Sequence, residues 1–406
     1  MSTSVSTPSR SSPGPTRSRL MRTLMCTLAL TVAVSTVLPV AASGASTGRS
    51  PSAASVTVSA TNSWRKLPAS PLPSLQITTG VWTGREMLVY GVHLPSTGGA
   101  RPAAAAYRPS TRTWRTLPTP PARANVEGQE QAVWTGHEML VWGASTRVAY
   151  NPRTRVWRHL PKIPSGVPSA GAGGQVMVWT GKQMIVWGGG CCADAVNTGA
   201  AYTPATNSWR GLPRSPLSGR HAIGAWTGKE LVIAGGSGPE GEALRTAATY
   251  NPKTRHWRTL PRLPWPVVPD AVVWTGSKVL LTGGYGRAGY VHPVRRGLSY
   301  QPSTNTWRAL PVATYPRVDS VAVWTGKRML VWGGLMAGKY GLVHAPRGES
   351  FNPRTGHWAP IAKSPLRGGR SGEVAVWTGR SMIIWGGASL SDDPVQIFRD
   401  GAAYTP

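Results

Sequence analysis

The stretch AVWTGKRMLVWGG, residues 322–334, limits what this chain can fold into more than any other. Ala322-Val323-Trp324 and Met329-Leu330-Val331-Trp332 are apolar runs parted by the polar break Thr325-Gly326-Lys327, and Gly333-Gly334 ends the second run. Short apolar runs bounded by turn signals suit buried strands, although one copy does not separate strand from buried helix. Repetition does. The first tryptophan recurs at Trp82, Trp134, Trp179, Trp226, Trp274, Trp324 and Trp377, and a glycine follows each nine residues later, from Gly91 to Gly386.

A second phrase alternates with the first, clearest in AATYNPKTRHWRTLPRLP, residues 247–264. Its aromatic residue (Tyr107, Tyr150, Tyr202, Tyr250, Tyr300, Phe351) precedes its tryptophan (Trp114, Trp157, Trp209, Trp257, Trp307, Trp358) by seven positions. A Pro-x-Thr turn lies between them, because proline fixes φ at the value that the second position of a tight turn needs. Trp64 to Trp358 spans six periods with a mean of 49 residues. Four short strands in a period of about 50, with a double glycine after the second, describe one blade of a β-propeller. Glycine and proline together number 85, which fits many turns and little helix.

These phrases resemble the kelch repeat family, also found in the central domain of galactose oxidase, over residues 59–406. The apolar strand ending in Gly-Gly, the tyrosine and the spaced tryptophan carry the resemblance. Gly91-Val92, Gly143-Ala144 and Phe351 depart from it locally. The expected fold is all-β: a seven-bladed propeller of four-stranded antiparallel blades. Residues 402–406 (AAYTP) and 60–68 (ATNSWRKLP), joined, nearly repeat AAYTPATNSWRGLP at 200–213. The N- and C-terminal strands are therefore expected to share the seventh blade and close the ring.

Residues 1–45 differ from the rest. Arg10, Arg17, Arg19 and Arg22 precede an apolar run from about Leu24 to Val40 and then small residues, the order of a secretory signal peptide. An uncleaved membrane anchor is the alternative, since the run is near the minimum spanning length. Residues 46–58 are Ser/Ala/Thr-rich and read as a flexible linker to a propeller at 59–406. A secreted or envelope-located monomer with no further membrane span follows. The net charge of +29 falls to about +25 without the four leader arginines, enough to suggest a polyanionic partner but no specific nucleic acid. Much of that charge follows the fourth-strand tryptophans (Arg65, Arg115, Arg158, Arg210, Arg258, Arg308), where edge charge also discourages edge-to-edge pairing.

Up-and-down topology puts the constant Thr-Gly and Pro-x-Thr turns on one face and the connections of varying length on the other. Loops on a rigid scaffold are where binding residues collect. Just before the first-strand tryptophans stand Glu130, Gln175, His221, Asp270, Asp319 and Glu373, with Arg317 and Arg370 beside them. These eight are the candidate ligand-binding residues, or else carboxylates and arginines that pair with each other and with inter-blade N–H groups. No metal-ligand spacing and no Ser/His/Asp arrangement emerges, so no cofactor and no catalytic residue is expected. Copper is the metal that the galactose oxidase resemblance raises, with Tyr285, Tyr290 and His292 in one loop and His93, His221 and His344 elsewhere on that face. Calcium is the alternative at an acidic mouth. Adjacent Cys191 and Cys192 form a vicinal disulfide or stay thiols. The expected role is recognition of a protein or glycan at the cell exterior. A galactose oxidase-like or sialic acid-isomerising kelch enzyme and a basic binder of polyanions or of the envelope surface are the alternatives.

Overall fold

The computed structural model describes residues 61–406 except 76, 94, 96–98, 122–129, 144–145, 164–173, 191–194, 287–292, 339–340, 346, 367–369 and 390–394. The proposed leader and linker, Cys191, Cys192, Tyr290 and His292 lie outside the described residues.

The chain forms seven antiparallel sheets arranged as a seven-bladed β-propeller, each with a path of four strands, to which blades 6 and 7 add a short fifth strand. Blade 1 holds Ile77–Trp82, Met87–His93, Arg101–Arg108 and Thr113–Thr116 from the inside outward. Blades 2 to 6 follow in chain order. In blade 7, Ser371–Trp377, Met382–Ser389 and Gly401–Thr405 take Ser63–Lys66 as the fourth strand, with Ser63 opposite Thr405 and Lys66 opposite Ala402. The first strands touch one another around a closed circle. Terminal strands sharing a blade thus close the ring, as the sequence predicts.

The core lies between blades, which explains the continuous apolar second strands. In Met139–Trp142, Met139 and Val141 pack with Leu88 and Tyr90 of blade 1, while Leu140 and Trp142 pack with Met177 and Tyr202 of blade 3. Both faces of the strand are buried, so neither admits a polar residue. The outer tryptophans serve the same joints. Trp114, Trp157, Trp209, Trp257, Trp307 and Trp358 each donate an indole N–H to a proline carbonyl of the preceding blade, at 2.8–3.1 Å. Trp64 donates to the Ala362 carbonyl at 2.8 Å and completes the circle of seven. Deleting residues 61–66 should therefore unpair Gly401–Thr405 and open the joint to blade 6. The expected result is a thermal midpoint lower by roughly 10 °C or more. A midpoint unchanged by calorimetry would mean that the ring does not depend on this closure.

The arginines after the outer tryptophans do more than guard an edge. Arg158 pairs with Glu138 at 2.6 Å and also donates to the Tyr202 hydroxyl and Asn207 Oδ1 of blade 3. Arg115 pairs with Glu86, and Arg258 with Glu230 and Asn305. The glutamates belong to the Thr-Gly turns, so each of these arginines ties a turn to an outer strand. All three sit at the surface, where such pairs add little stability individually.

Candidate ligand-binding site at the channel mouth

The double glycines set the geometry of the mouth. In blades 3 to 7 both glycines have positive φ, from 64° to 103°. The first turn of this corner frees the second glycine's N–H to reach the next blade. Gly189, Gly236, Gly284 and Gly334 donate to the carbonyls of Arg220, Val267, Arg317 and Arg370, at 2.6–3.1 Å. Blade 1 has Val92 in place of the second glycine, and there the strand simply runs on to His93.

Three of those four acceptor positions are arginines, seven or six residues before the first-strand tryptophan, and all three are buried. Their side chains turn back into their own blades. Arg220 donates to the carbonyls of Gly235 and Thr246, Arg317 to those of Gly333 and Arg347, and Arg370 to those of Gly386 and Asp400. Each guanidinium clamps the first glycine of the corner to the start of the third strand. Arg370 also meets Asp400 Oδ1 at 2.6 Å, and Arg317 Nε lies 3.6 Å from buried Glu349. Burial lowers the pKa of all three arginines, and the neighbouring acids partly restore it. Arg317 and Arg370 are thus engaged with backbone carbonyls rather than held out to a ligand.

The other candidates are brought to one level inside the ring, and every one is buried. Glu130 accepts from the Thr146 hydroxyl at 3.1 Å, which lies 3.3 Å from the Tyr90 hydroxyl of blade 1. Burial pushes the Glu130 pKa up to about 7. Gln175 accepts at its backbone carbonyl from Gln131 Nε2, 2.9 Å away. The His221 ring occupies the space that a Cβ on Gly174 would fill, and burial lowers its pKa to about 4, so it is neutral.

Blades 5 to 7 form the acidic part. Asp270 accepts from the Ser320 N–H at 3.0 Å and from the Ser320 hydroxyl, across the joint to blade 6. Burial raises its pKa to about 7 against those bonds. Asp319, next to Ser320, has φ +55°, a left-handed conformation uncommon outside glycine. Its pKa rises to about 8, from burial first and then from the Asp270 charge. Glu373 is fully buried and raised well above the usual carboxylate range by burial, with Asp270 and Asp319 close enough to add to the shift. Neither Glu373 oxygen has a hydrogen-bond partner among the described residues. Of the sequence candidates, Glu130 and Asp270 are bonded to neighbours, whereas Asp319 sits in a left-handed backbone and the Glu373 carboxyl has no hydrogen-bond partner among the described residues, with Arg370 offsetting part of its burial.

Above these acids the long-loop face is built up unevenly. Val268, Tyr285, Val318 and Leu335 form a small apolar cluster beside Ala243 and Leu342. The second strand of blade 6 runs on to Gly338 and returns as Gly341–His344, and that of blade 7 runs on to Ser389 and pairs with Gln396–Ile397. His344 Nε2 and Ser389 Oγ, 2.9 Å apart, join these two hairpins. Val343 stands on the first hairpin and Val395 beside the second, 43% and 49% exposed. No family model matches the chain, and no curated protein does. The residues themselves must therefore carry the functional reading.

The sequence reading missed the two hairpins and the roles of Thr146, Glu349 and Asp400. The lengths of MLVWGGLMAG and MIIWGGAS, apolar beyond the double glycine, were the available signal for the hairpins. The three side chains gave none, because each meets a partner 16 or more residues away whose position only the folded blade sets. Among the described residues, no group of three or more His, Cys, Asp and Glu is arranged to hold a metal. Tyr285 lies in the apolar cluster, His93 Nδ1 faces the Ser74 carbonyl in blade 1, and His344 belongs to the hairpin joint. The structure does not bring these residues together.

Proposed function

We propose that the chain is an exported kelch-type propeller that acts by binding, and that it takes a protein or glycan ligand on its long-loop face over blades 6 and 7. The observation that carries this reading is the joined pair of hairpins presenting Val343 and Val395. Apolar side chains exposed on two hairpins joined to each other supply anchors of the kind that recognition uses. Beneath them, the strained Asp319 and the unpartnered Glu373 are costs of the sort that persist at functional sites.

The test is a screen of the chain against arrayed glycans and secreted proteins, repeated with Val343→Asp/Val395→Asp. The double variant is expected to keep its melting temperature, since both side chains are exposed, and to lose the captured ligand by roughly tenfold or more. Unchanged capture by the double variant would remove the hairpins from the reading.

A further inference from the structure

The opposite face carries a charge pattern that ligand binding on the long loops does not use. All seven Thr-Gly turns have the same form, with the threonine hydroxyl accepting from the N–H three residues on at 2.8–2.9 Å. Their tips therefore stand at one level around the channel. Five of the seven carry exposed cations there, Arg85, Lys182, Lys229, Lys327 with Arg328, and Arg380, while blades 2 and 5 have His137 and Ser277. Seven more exposed lysines and arginines, between Arg108 and Arg354, lie in the Pro-x-Thr turns that form a second, wider circle. Three acids share these turns, Glu86, Glu138 and Glu230, and each is paired with an arginine. The other twelve of the chain's 15 acids lie elsewhere.

Between blades 7 and 1 this face also holds two adjoining grooves of about 450 Å³ each. Arg65 and Arg380 line one, Arg85 and Arg108 the other, and both include Ser110 and Thr378. Arg65, Arg85 and Arg380 take part in no ion pair among the described residues. The Thr378 hydroxyl is spent within its own turn, donating to the Ser381 carbonyl, so the Ser110 hydroxyl beside the unpaired guanidinium groups is what suits phosphate oxygens.

We infer that the short-turn face docks on an anionic phospholipid bilayer, with headgroup phosphates in the grooves between blades 7 and 1. Charge complementarity selects an anionic partner, and the layout selects a surface. Basic tips from five of the seven blades, spread around the ring on turns of one form, can meet a flat surface together, whereas a linear polyanion follows only an arc. The attachment of the N-terminal segment agrees. Ser63 pairs with Thr405, and Asn62 Oδ1 accepts from the Tyr404 hydroxyl, so the chain enters its first described strand from this face. A protein docked in this way turns its long loops toward the exterior.

Residues 46–406 retain every strand of the ring and are the form to test. Sedimentation with vesicles of pure phosphatidylcholine is compared with sedimentation with vesicles containing 40% phosphatidylglycerol. Binding is expected to the anionic vesicles alone and to weaken between low and physiological salt. Arg85→Glu/Lys182→Glu/Lys327→Glu should weaken it by about a hundredfold, given the strength of single basic contacts at such surfaces. The control, Arg214→Glu/Arg262→Glu/Lys363→Glu, makes the same change in net charge at exposed positions outside the turns. It should bind within about threefold of the unchanged chain. Equal loss in both triples would reduce the effect to net charge and overturn the proposal. Equal binding to neutral vesicles, or complete displacement by soluble polyphosphate at matched phosphate concentration, would also overturn it. Circular dichroism melts of both triples exclude unfolding as the cause of lost binding, because all six side chains are exposed.

Discussion

Gly284→Ala is expected to cost more than about 4 kcal/mol, enough to loosen the joint between blades 5 and 6. Gly284 has φ +86°, and a Cβ there would overlap the Val268 carbonyl and stand 2.9 Å from the Asp270 nitrogen. Both obstacles are backbone, so no side-chain rotation relieves them. Moving the corner would break the 2.7 Å bond from the Gly284 N–H to the Arg317 carbonyl of blade 6. It would also disturb Asp270, whose carboxylate holds Ser320 across the same joint. Gly326→Ala is the matched control. Gly326 has a similar φ of +89°, yet a Cβ there meets nothing within 4 Å. That substitution should cost only the intrinsic penalty of a left-handed residue, roughly 1–2 kcal/mol. Urea unfolding of both variants measures the difference. Equal midpoints would show that the double glycine is needed for its backbone angle alone and not for its contact with the next blade.

The comparison shows which part of this molecule can be read from one sequence. Blade count, strand order and ring closure follow from spacing, because each depends on relations within a repeat or between identical repeats. The double glycine was legible as the end of a strand. Its second purpose was not, since the acceptor of the Gly284 N–H sits 33 residues away in an irregular segment before the next blade. Counting back from each first-strand tryptophan gave Glu130, Asp270 and Glu373 one offset, and in the fold all three are buried. It did not distinguish Asp270, bonded to Ser320, from Glu373, which has no partner among the described residues. That difference turns on which residue the neighbouring blade supplies at the same height. Arg317 and Arg370 illustrate the same limit. In sequence they stand beside acids and read as their partners or as ligand contacts, whereas in the fold their main acceptors are backbone carbonyls. An arginine recurring before the first strand is thus a mark of the corner it clamps.

The buried acids give the propeller an unusual dependence on pH, and Asp319→Asn tests it. In the unfolded chain these carboxyls titrate near 4. In the fold, burial raises Glu130 and Asp270 to about 7 and Asp319 to about 8, with Glu373 also raised. The folded state therefore binds protons more tightly than the unfolded state. Below about pH 4 both states hold them and ionisation costs nothing. As pH rises toward 8, ionisation is favourable in the unfolded chain and opposed in the fold, so stability falls across that window. The acids that face each other, Asp270, Asp319 and Glu373, resist ionisation jointly, and nearby Arg317 and Arg370 reduce the penalty without removing it. The melting temperature should be several degrees higher at pH 5 than at pH 8.5, for a total of roughly a few kcal/mol. Asparagine keeps the size of Asp319 and tolerates its left-handed backbone. Asp319→Asn should therefore raise the midpoint at pH 8.5, leave it nearly unchanged at pH 5, and flatten the curve between them. A variant whose midpoint still falls as steeply with pH would show that Asp319 ionises without cost, through a partner that its buried position does not reveal.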